Sequence, residues 1–196
     1  KKFQFSKLGK SSRYRDYADT IFWLKEAMLV NVCTNATEPN VGLKLNEENS
    51  SLKCYLGDTG LLISHAFDEN ELAAEDIHRR LLFDKIELNE GMLMENVVAQ
   101  MLAATGRTLH FYSSSDRRDA SNRMEIDFLI ANTKIGRRKN ISPIEVKSGK
   151  FYTTTSLSKF CTKFSSYLNT PYVLHTKDLE IKDGVTYLPL YMTPFL

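Results

Sequence analysis

Four ionisable side chains stand in segments that are otherwise apolar enough to be buried. Glu95 lies in GMLMENVVAQMLAA, Asp127 lies in MEIDFLIA, and Glu145 and Lys147 lie in PIEVKSG. Carboxylate oxygens are the preferred ligands of Mg²⁺, an ion that keeps several of its waters for chemistry. An ammonium group beside such an ion neutralises charge that develops on a phosphoryl group. If the fold brings them together, these residues predict metal-dependent hydrolysis of a phosphodiester.

The predicted reaction gives each of these residues a role. Asp127 and Glu145 would bind Mg²⁺ or Mn²⁺ directly, with Glu95 as a further ligand or a water-mediated partner. Lys147 would neutralise the developing charge and orient, or help to deprotonate, the attacking water. The four are therefore the candidate catalytic residues, and the three carboxylates are the candidate metal ligands.

The environment of Glu95 also allows a purely structural interpretation. At about 100° per residue, the helix places Asn96 and Gln100 on a polar side and Glu95 closer to Val98 and the apolar side. A carboxylate that faces inward is costly unless it is paired, hydrogen-bonded or bound to a cation. A salt bridge or the favourable field near the helix N-terminus would explain Glu95 without a metal.

The two strand segments leave a similar choice open. Strict alternation along MEIDFLIA puts Glu125, Asp127 and Leu129 on one face and the apolar residues on the other. Glu145 and Lys147 are two residues apart and therefore share a face of their strand. Solvated carboxylates on a half-exposed strand, and an ion pair worth about 0.2–1 kcal/mol, are the structural alternatives.

The first third of the chain predicts one helix and several short strands. Residues 14–29 place Tyr14, Tyr17, Ile21 and Leu24 at helical spacing. Apolar runs at 29–33, 41–45 and 52–57, separated by turn-rich segments, predict strands. Asp58 is expected to cap a buried helical turn over 58–67, and the acidic stretch 68–84 is expected to be a surface helix or connector.

The remaining chain predicts a mixed α/β fold. A helix over 91–104 precedes β-type runs at 108–113, 124–131 and 141–148, and TTSLSKFCTKFSSYL then predicts a second helix. PYVLHT and VTYLPLYM read as two final strands. The order α-β-β-β-α-β, plus one strand, predicts a mixed sheet with helices on both faces. We expect a winged-helix or β-ribbon remnant over 1–66, a connector over 67–90 and the main domain over 91–196.

The spacing of these motifs resembles a known nuclease fold. Glu95, then Asp127 in EIDF, then Glu145 and Lys147 in PIEVKSG, on that element order, resembles the PD-(D/E)XK nuclease-like superfamily of restriction endonucleases and repair nucleases. The resemblance implies a restriction-endonuclease-like α/β fold, metal ligation by the three carboxylates and a catalytic lysine at position 147. One departure is that Ile126, and not proline, precedes Asp127.

A second resemblance covers nearly the whole chain. The segments SKLGKSSRYRDYADTIFWLKEAMLV, LKCYLGDTGLL, NEGMLMENVVAQMLAATG, MEIDFLIA and PIEVKSGK resemble the C-terminal half of prokaryotic AAA-type ATPases, whose tail is a domain of unknown function. It implies an upstream ATPase module in the same polypeptide. No G-x-x-x-x-G-K-[ST] loop occurs in this sequence, so ATP binding by that motif is not expected of these residues. Since the sequence starts at Lys1, we expect a fragment.

Composition excludes several other classes. The 196 residues, 42% hydrophobic and 26% charged, suit one ordinary globular domain. Three separated cysteines and four scattered histidines favour neither a disulfide framework nor a zinc site. No apolar run approaches the roughly 20 residues that cross a bilayer, so a cytoplasmic protein without a membrane partner is expected.

Charge is segregated along the chain and suggests an anionic partner. Residues 1–25 hold seven Lys/Arg against two Asp/Glu, 47–95 hold four against twelve, and 117–150 hold nine against four. Basic residues in the loops that border the predicted site strands are candidates for contacts with DNA phosphates. They are Arg117, Arg118, Arg123, Arg137, Arg138 and Lys139.

Two functions outside catalysis stay open. In the first of these hypotheses, the chain is a non-catalytic nucleic-acid-binding or protein-assembly module. The four ionisable residues would then form a structural ion network, and the helix near 17–28 would dock on an ATPase or another partner. An isolated winged-helix regulator is the third hypothesis, although only the last helix and strands of such a unit are present. The sequence does not fix the oligomeric state.

Overall fold

A computed structural model describes residues 2–40, 42–67, 89–115, 119, 122–132 and 139–196. Its helices are α1 (Tyr14–Glu26), α2 (Thr59–Phe67), α3 (Glu90–Ala104) and α4 (Thr155–Lys163). Its strands are β1 (Val30–Ala36), β2 (Glu47–Leu56), β3 (Leu109–Ser114), β4 (Met124–Ala131), β5 (Ile141–Val146), β6 (Tyr172–His175), β7 (Glu180–Lys182) and β8 (Val185–Pro189). The described residues form a mixed α/β fold, as predicted.

All of these strands belong to one sheet with the order β2-β1-β3-β4-β5-β6-β8-β7. β3, β4 and β5 form an antiparallel meander, and β6 returns parallel to β5 after α4. The hairpin β1–β2 joins the same sheet because β1 pairs in parallel with β3. The N-terminal strands, which were expected in a segment of their own, therefore continue the sheet of the C-terminal region.

Two apolar clusters cover opposite faces of the sheet. Val98 and Leu102 of α3 belong to one cluster with Phe111, while Phe160 of α4 belongs to the other with Tyr112. Since Phe111 and Tyr112 are neighbours in β3, their side chains point to opposite faces. The predicted arrangement of helices on both faces of a mixed sheet is therefore confirmed.

A β-bulge interrupts β4 at the position of Asp127. Ile126 pairs with Tyr112, but Leu129 pairs with His110, so β4 carries one residue more than β3 between these pairs. Ile126 and Leu129 consequently belong to the same apolar cluster. The strict alternation predicted for this strand is wrong beyond Asp127, because the extra residue shifts the following side chains to the other face.

Local predictions meet different outcomes. The capping role of Asp58 is confirmed, since its Oδ1 accepts a hydrogen bond from the N–H of Leu61 at 3.0 Å. The strand predicted over 41–45 is wrong, because Leu43–Asn46 form a 3-10 helix. The prediction for 68–84 lies outside the described residues. Within the part of the chain that the structure describes, the helices are too short or too polar to cross a membrane.

Candidate functional site

The ammonium group of Lys53 lies at the centre of three carboxylates. Its Nζ is 2.8 Å from Glu125 Oε1, 3.6 Å from Asp127 Oδ1 and 3.7 Å from Glu95 Oε2. The Lys53 side chain is only 1% exposed, and its ammonium also lies 5.2 Å from the centre of the Phe111 ring. We call Lys53, Glu95, Glu125 and Asp127 the acidic centre.

Strand geometry explains how Lys53 enters this centre. Lys53 and Tyr55 are two residues apart in β2 and therefore share a face. Tyr55 belongs to the apolar cluster that contains α3, so the aliphatic stem of Lys53 is directed beneath the same helix. In the β1–β2 pair, Lys53 lies opposite Cys33 of β1, which is fully buried. The β1–β2 hairpin therefore fixes the position of the Lys53 backbone, from which the side chain extends into the acidic centre.

Glu95 faces inward, as the helical spacing predicts. The hydroxyl of Tyr55 donates a hydrogen bond to Glu95 Oε2 at 3.0 Å, and the Lys53 ammonium is close to the same oxygen. Burial, followed by the charge of Glu95, raises the pKa of Tyr55, so this hydroxyl stays a donor. Glu95 is therefore paired with a lysine and hydrogen-bonded to a tyrosine, as the structural interpretation of an inward-facing glutamate requires.

The polar side of α3 is an anchor that the sequence did not reveal. Asn96 is 2% exposed; its Oδ1 accepts from the N–H of Leu56 at 2.8 Å and its Nδ2 donates to the Leu56 carbonyl at 3.2 Å. Gln100 accepts from both the N–H and the hydroxyl of Thr59, at 3.0 and 2.7 Å. These amides fix the corner between β2 and α2 against α3 and so hold β2, with Lys53, in position.

Asp127 uses both of its carboxylate oxygens. Oδ2 accepts a hydrogen bond from the Val146 N–H at 2.9 Å, while Oδ1 faces Lys53. Burial, followed by the charge of Glu95, raises the pKa of Asp127 to about 6, although Lys53 and the Val146 N–H act in the opposite direction. Asp127 therefore takes up a proton at a higher pH than an ordinary aspartate does.

Lys53 itself stays charged. Burial alone would lower the pKa of its ammonium, because desolvation disfavours the charged form. The charges of Asp127, Glu95 and Glu125 overcome that effect, and the pKa lies above its usual range. A single positive charge is thus fixed inside a group of three acids.

Glu145 and Lys147 form a second ion pair. Lys147 Nζ lies 3.1 Å from Glu145 Oε2, and the N–H of Leu157 in α4 also donates to this carboxylate. Glu145 is 3% exposed, and burial raises its pKa although Lys147 and the Leu157 N–H oppose the shift. Its charge also helps to raise the pKa of Asp127, although burial, Glu95, Lys53 and the Val146 N–H all act on Asp127 more strongly.

The four predicted site residues therefore lie in two ion-paired groups. Glu95 and Asp127 surround Lys53, whereas Glu145 pairs with Lys147. Among the described residues, no three His, Cys, Asp or Glu side chains are arranged to hold a metal ion. An ammonium already occupies the space between the acids, and a divalent ion placed there would be repelled by it. In this arrangement the residues do not fit Mg²⁺ or Mn²⁺, and the predicted ligation stays a prediction that requires Lys53 to move.

The predicted DNA contacts are described only in part. Arg123 and Lys139 are exposed and lie directly before β4 and two residues before β5. Arg117, Arg118, Arg137 and Arg138 fall outside the described residues. The proposed phosphate contacts therefore stay a prediction.

The comparisons with known proteins assign the regions of the chain. Residues 90–193, from the start of α3 into the C-terminal 3-10 helix (Leu190–Phe195), match the domain of unknown function DUF4143. The chain belongs to the DUF4143 family. Residues 1–71 match a second domain of unknown function, DUF8612. No curated protein and no solved structure matches the chain.

The two family matches divide the acidic centre. Glu95, Glu125 and Asp127 belong to the DUF4143 region, as do Glu145 and Lys147. Lys53 belongs to the DUF8612 region. The three acids and the ammonium that lies between them thus come from segments that two different family models match. The DUF4143 region therefore contains the acids but not the lysine that faces them.

Proposed function

We propose that the chain is a protein-assembly module built on a nuclease-like scaffold, and that α1 docks it on an AAA-type ATPase module of the same polypeptide. The observation that carries the proposal is the exposure of α1. None of its thirteen residues, all of which the structure describes, is buried. The ATPase partner comes from the sequence resemblance, and the nuclease-like scaffold from the order α3-β3-β4-β5-α4-β6.

The exposed side chains near the end of α1 suit a protein interface. Phe22 is 53% exposed, Trp23 69% and Met28 83%, and the neighbouring Leu24 and Leu29 are exposed as well. Phe22 and Trp23 pack edge to face, with ring centres 5.8 Å apart, so they form one apolar surface. Contiguous exposed apolar surface marks interaction sites, and aromatic residues and methionine are enriched in interface cores.

The N-terminal segment that contains α1 is basic, which indicates the character of the partner. Residues 1–25 contain seven Lys/Arg and two Asp/Glu. A partner with an apolar patch and an acidic rim would complement such a surface, because opposite potentials favour encounter and register. We therefore expect an acidic rim on the docking face of the ATPase module.

A photo-cross-linking amino acid at position 23 tests the docking. In the polypeptide that carries the ATPase module, cross-links from position 23 should map to that module by mass spectrometry. The matched control is Leu45, which is 90% exposed but lies in the 3-10 helix Leu43–Asn46. Cross-links from position 23 only to a second copy, or equal cross-linking from both positions, would contradict the proposal.

Metal-dependent hydrolysis of DNA is the second candidate function. It is favoured by the element order and by the position of Asp127 and Glu145 on the paired strands β4 and β5. This function would require Lys53 to leave the acidic centre. Incubation with DNA and Mg²⁺ or Mn²⁺ tests it: cleavage that both Asp127→Ala and Glu145→Ala abolish would support it, and cleavage that survives either change would not.

A further inference from the structure

We infer that Lys53 is the resident cation of the acidic centre: the DUF8612 segment supplies an ammonium group that occupies the DUF4143 carboxylates and excludes divalent ions from them. This inference does not rest on the docking of α1. It concerns the binding property of a different part of the molecule, and its failure would leave the assembly proposal intact.

The first argument is geometric. Three carboxylates from two elements, α3 and β4, converge on one nitrogen atom at 2.8–3.7 Å. Convergence of acids from separate elements is destabilising unless a cation lies between them, because like charges repel and their desolvation is costly. Lys53 meets that requirement from within the chain.

The second argument is the way in which Lys53 is held. Its side chain is 1% exposed, its backbone pairs with Cys33 in the centre of the β1–β2 hairpin, and Asn96 bonds both backbone groups of Leu56 in the same strand. An ammonium tethered in this way has a very high effective concentration at the carboxylates. A dissolved divalent ion must displace it before it can bind.

The third argument is charge. Each carboxylate that faces Lys53 already has a further partner or an exposed edge: Glu95 accepts from Tyr55, Asp127 accepts from Val146, and Glu125 is 44% exposed. Removal of the ammonium would leave three negative charges with these residual contacts only. The three carboxylates as they stand are not arranged to hold a metal ion, so they would close on the vacated centre before binding a hard cation, which prefers oxygen ligands.

A Mn²⁺ titration of the full chain tests the inference, with binding followed by calorimetry and stability by thermal unfolding. The wild-type chain should show no Mn²⁺ binding that depends on Asp127. Lys53→Met, which keeps an unbranched apolar stem, should gain Mn²⁺ binding, and its Tm should rise by roughly 5 °C or more at about a hundredfold excess over Kd. Lys53→Met/Asp127→Asn should lose this gain. Lys44→Met, at an exposed lysine, is the matched control and should behave as wild type.

Each result decides the question. Mn²⁺ binding by the wild-type chain that Asp127→Asn removes would overturn the inference, since Lys53 would then not exclude the ion. A folded Lys53→Met chain that ignores Mn²⁺ would also overturn it. If Lys53→Met is unfolded, Mn²⁺ should restore its folding, and failure of that rescue would count equally against the inference.

Discussion

The ammonium of Lys53 lies 2.8 Å from a carboxylate oxygen of Glu125, so a strand of the DUF8612 segment and a strand of the DUF4143 region share one ion pair. The same nitrogen faces Asp127 and Glu95. This single lysine therefore links the two family regions electrostatically, in addition to the pairing of β1 with β3.

Loss of the Lys53 charge should destabilise the fold in the absence of metal. Lys53→Met removes the cation and leaves the partly buried Asp127 and Glu95 uncompensated, so we expect the free energy of unfolding to fall by about 2–4 kcal/mol. Urea unfolding in the presence of a chelator measures the change. Lys44→Met should stay within about 0.5 kcal/mol of wild type. Equal effects of the two substitutions would show that the ammonium is not a structural cation.

Stability should depend on pH through Asp127. Its pKa is raised from 3.8 to about 6, so the folded state binds a proton more readily than the unfolded state. The contribution of this group is therefore fully present below about pH 4 and is lost as pH rises through 6, an effect of about 2–3 kcal/mol. Wild type should gain stability relative to Asp127→Asn as pH falls from 7 to 4.

The measurement is the difference in unfolding free energy between wild type and Asp127→Asn across that pH range. The difference cancels titrating groups that are distant from Asp127, whereas the titration of Glu95 and Glu145, which act on Asp127, changes with the substitution. A difference that is constant with pH, or one that changes in the opposite direction, would contradict the raised pKa of Asp127.

Asn96 should matter more than Met92, an exposed residue one turn earlier in α3. Asn96→Ala leaves the N–H and the carbonyl of Leu56 without these partners, which should cost about 1–3 kcal/mol. Hydrogen exchange should show a selective loss of protection at the Leu56 amide. Met92→Ala is a suitable control because Met92 is 45% exposed on the same helix. A loss of protection spread evenly over the sheet would argue against a local anchor.

Gly57 should be intolerant of a side chain. Its N–H donates to the Leu29 carbonyl at 2.8 Å, and a Cβ atom at this position would lie 2.0 Å from the backbone oxygen of Met28. Gly57→Ala must therefore push the end of α1 away from β2, at a cost of about 1–3 kcal/mol. The fluorescence of Trp23, the only tryptophan in the sequence, reports the displacement. Gly149→Ala, whose Cβ would lie 3.4 Å from the nearest atom, should be milder.

The elements were largely predictable because their hydrophobic periods are regular. β4 begins and ends where MEIDFLIA predicts, and α3 begins one residue before the predicted start. The bulge at Asp127 was not predictable, because an extra residue in one strand is defined by the partner strand and leaves no mark on composition. The inward position of Glu95 was predictable from helical spacing, but its partners Lys53 and Tyr55 were not.

Lys53 was missed for a related reason. In LKCYLG it follows the alternation of a half-buried strand, in which a lysine ordinarily points to solvent. The available signal was indirect: Tyr55 shares its face, and an inward Glu95 needs a cation. The pairing of β1 with β3 and the hydrogen bonds from Asn96 to Leu56 place this strand beside the DUF4143 acids, and contacts between distant segments are not encoded in local periodicity.

The parallel pairing of β1 with β3 has a practical consequence for expression of isolated domains. A recombinant fragment that begins at Glu90 lacks β1, so the edge of β3 that pairs with β1 would expose unpaired amide and carbonyl groups. Such a fragment would offer a template for edge-to-edge association between molecules, and it would tend to accumulate in inclusion bodies although it spans the whole DUF4143 match.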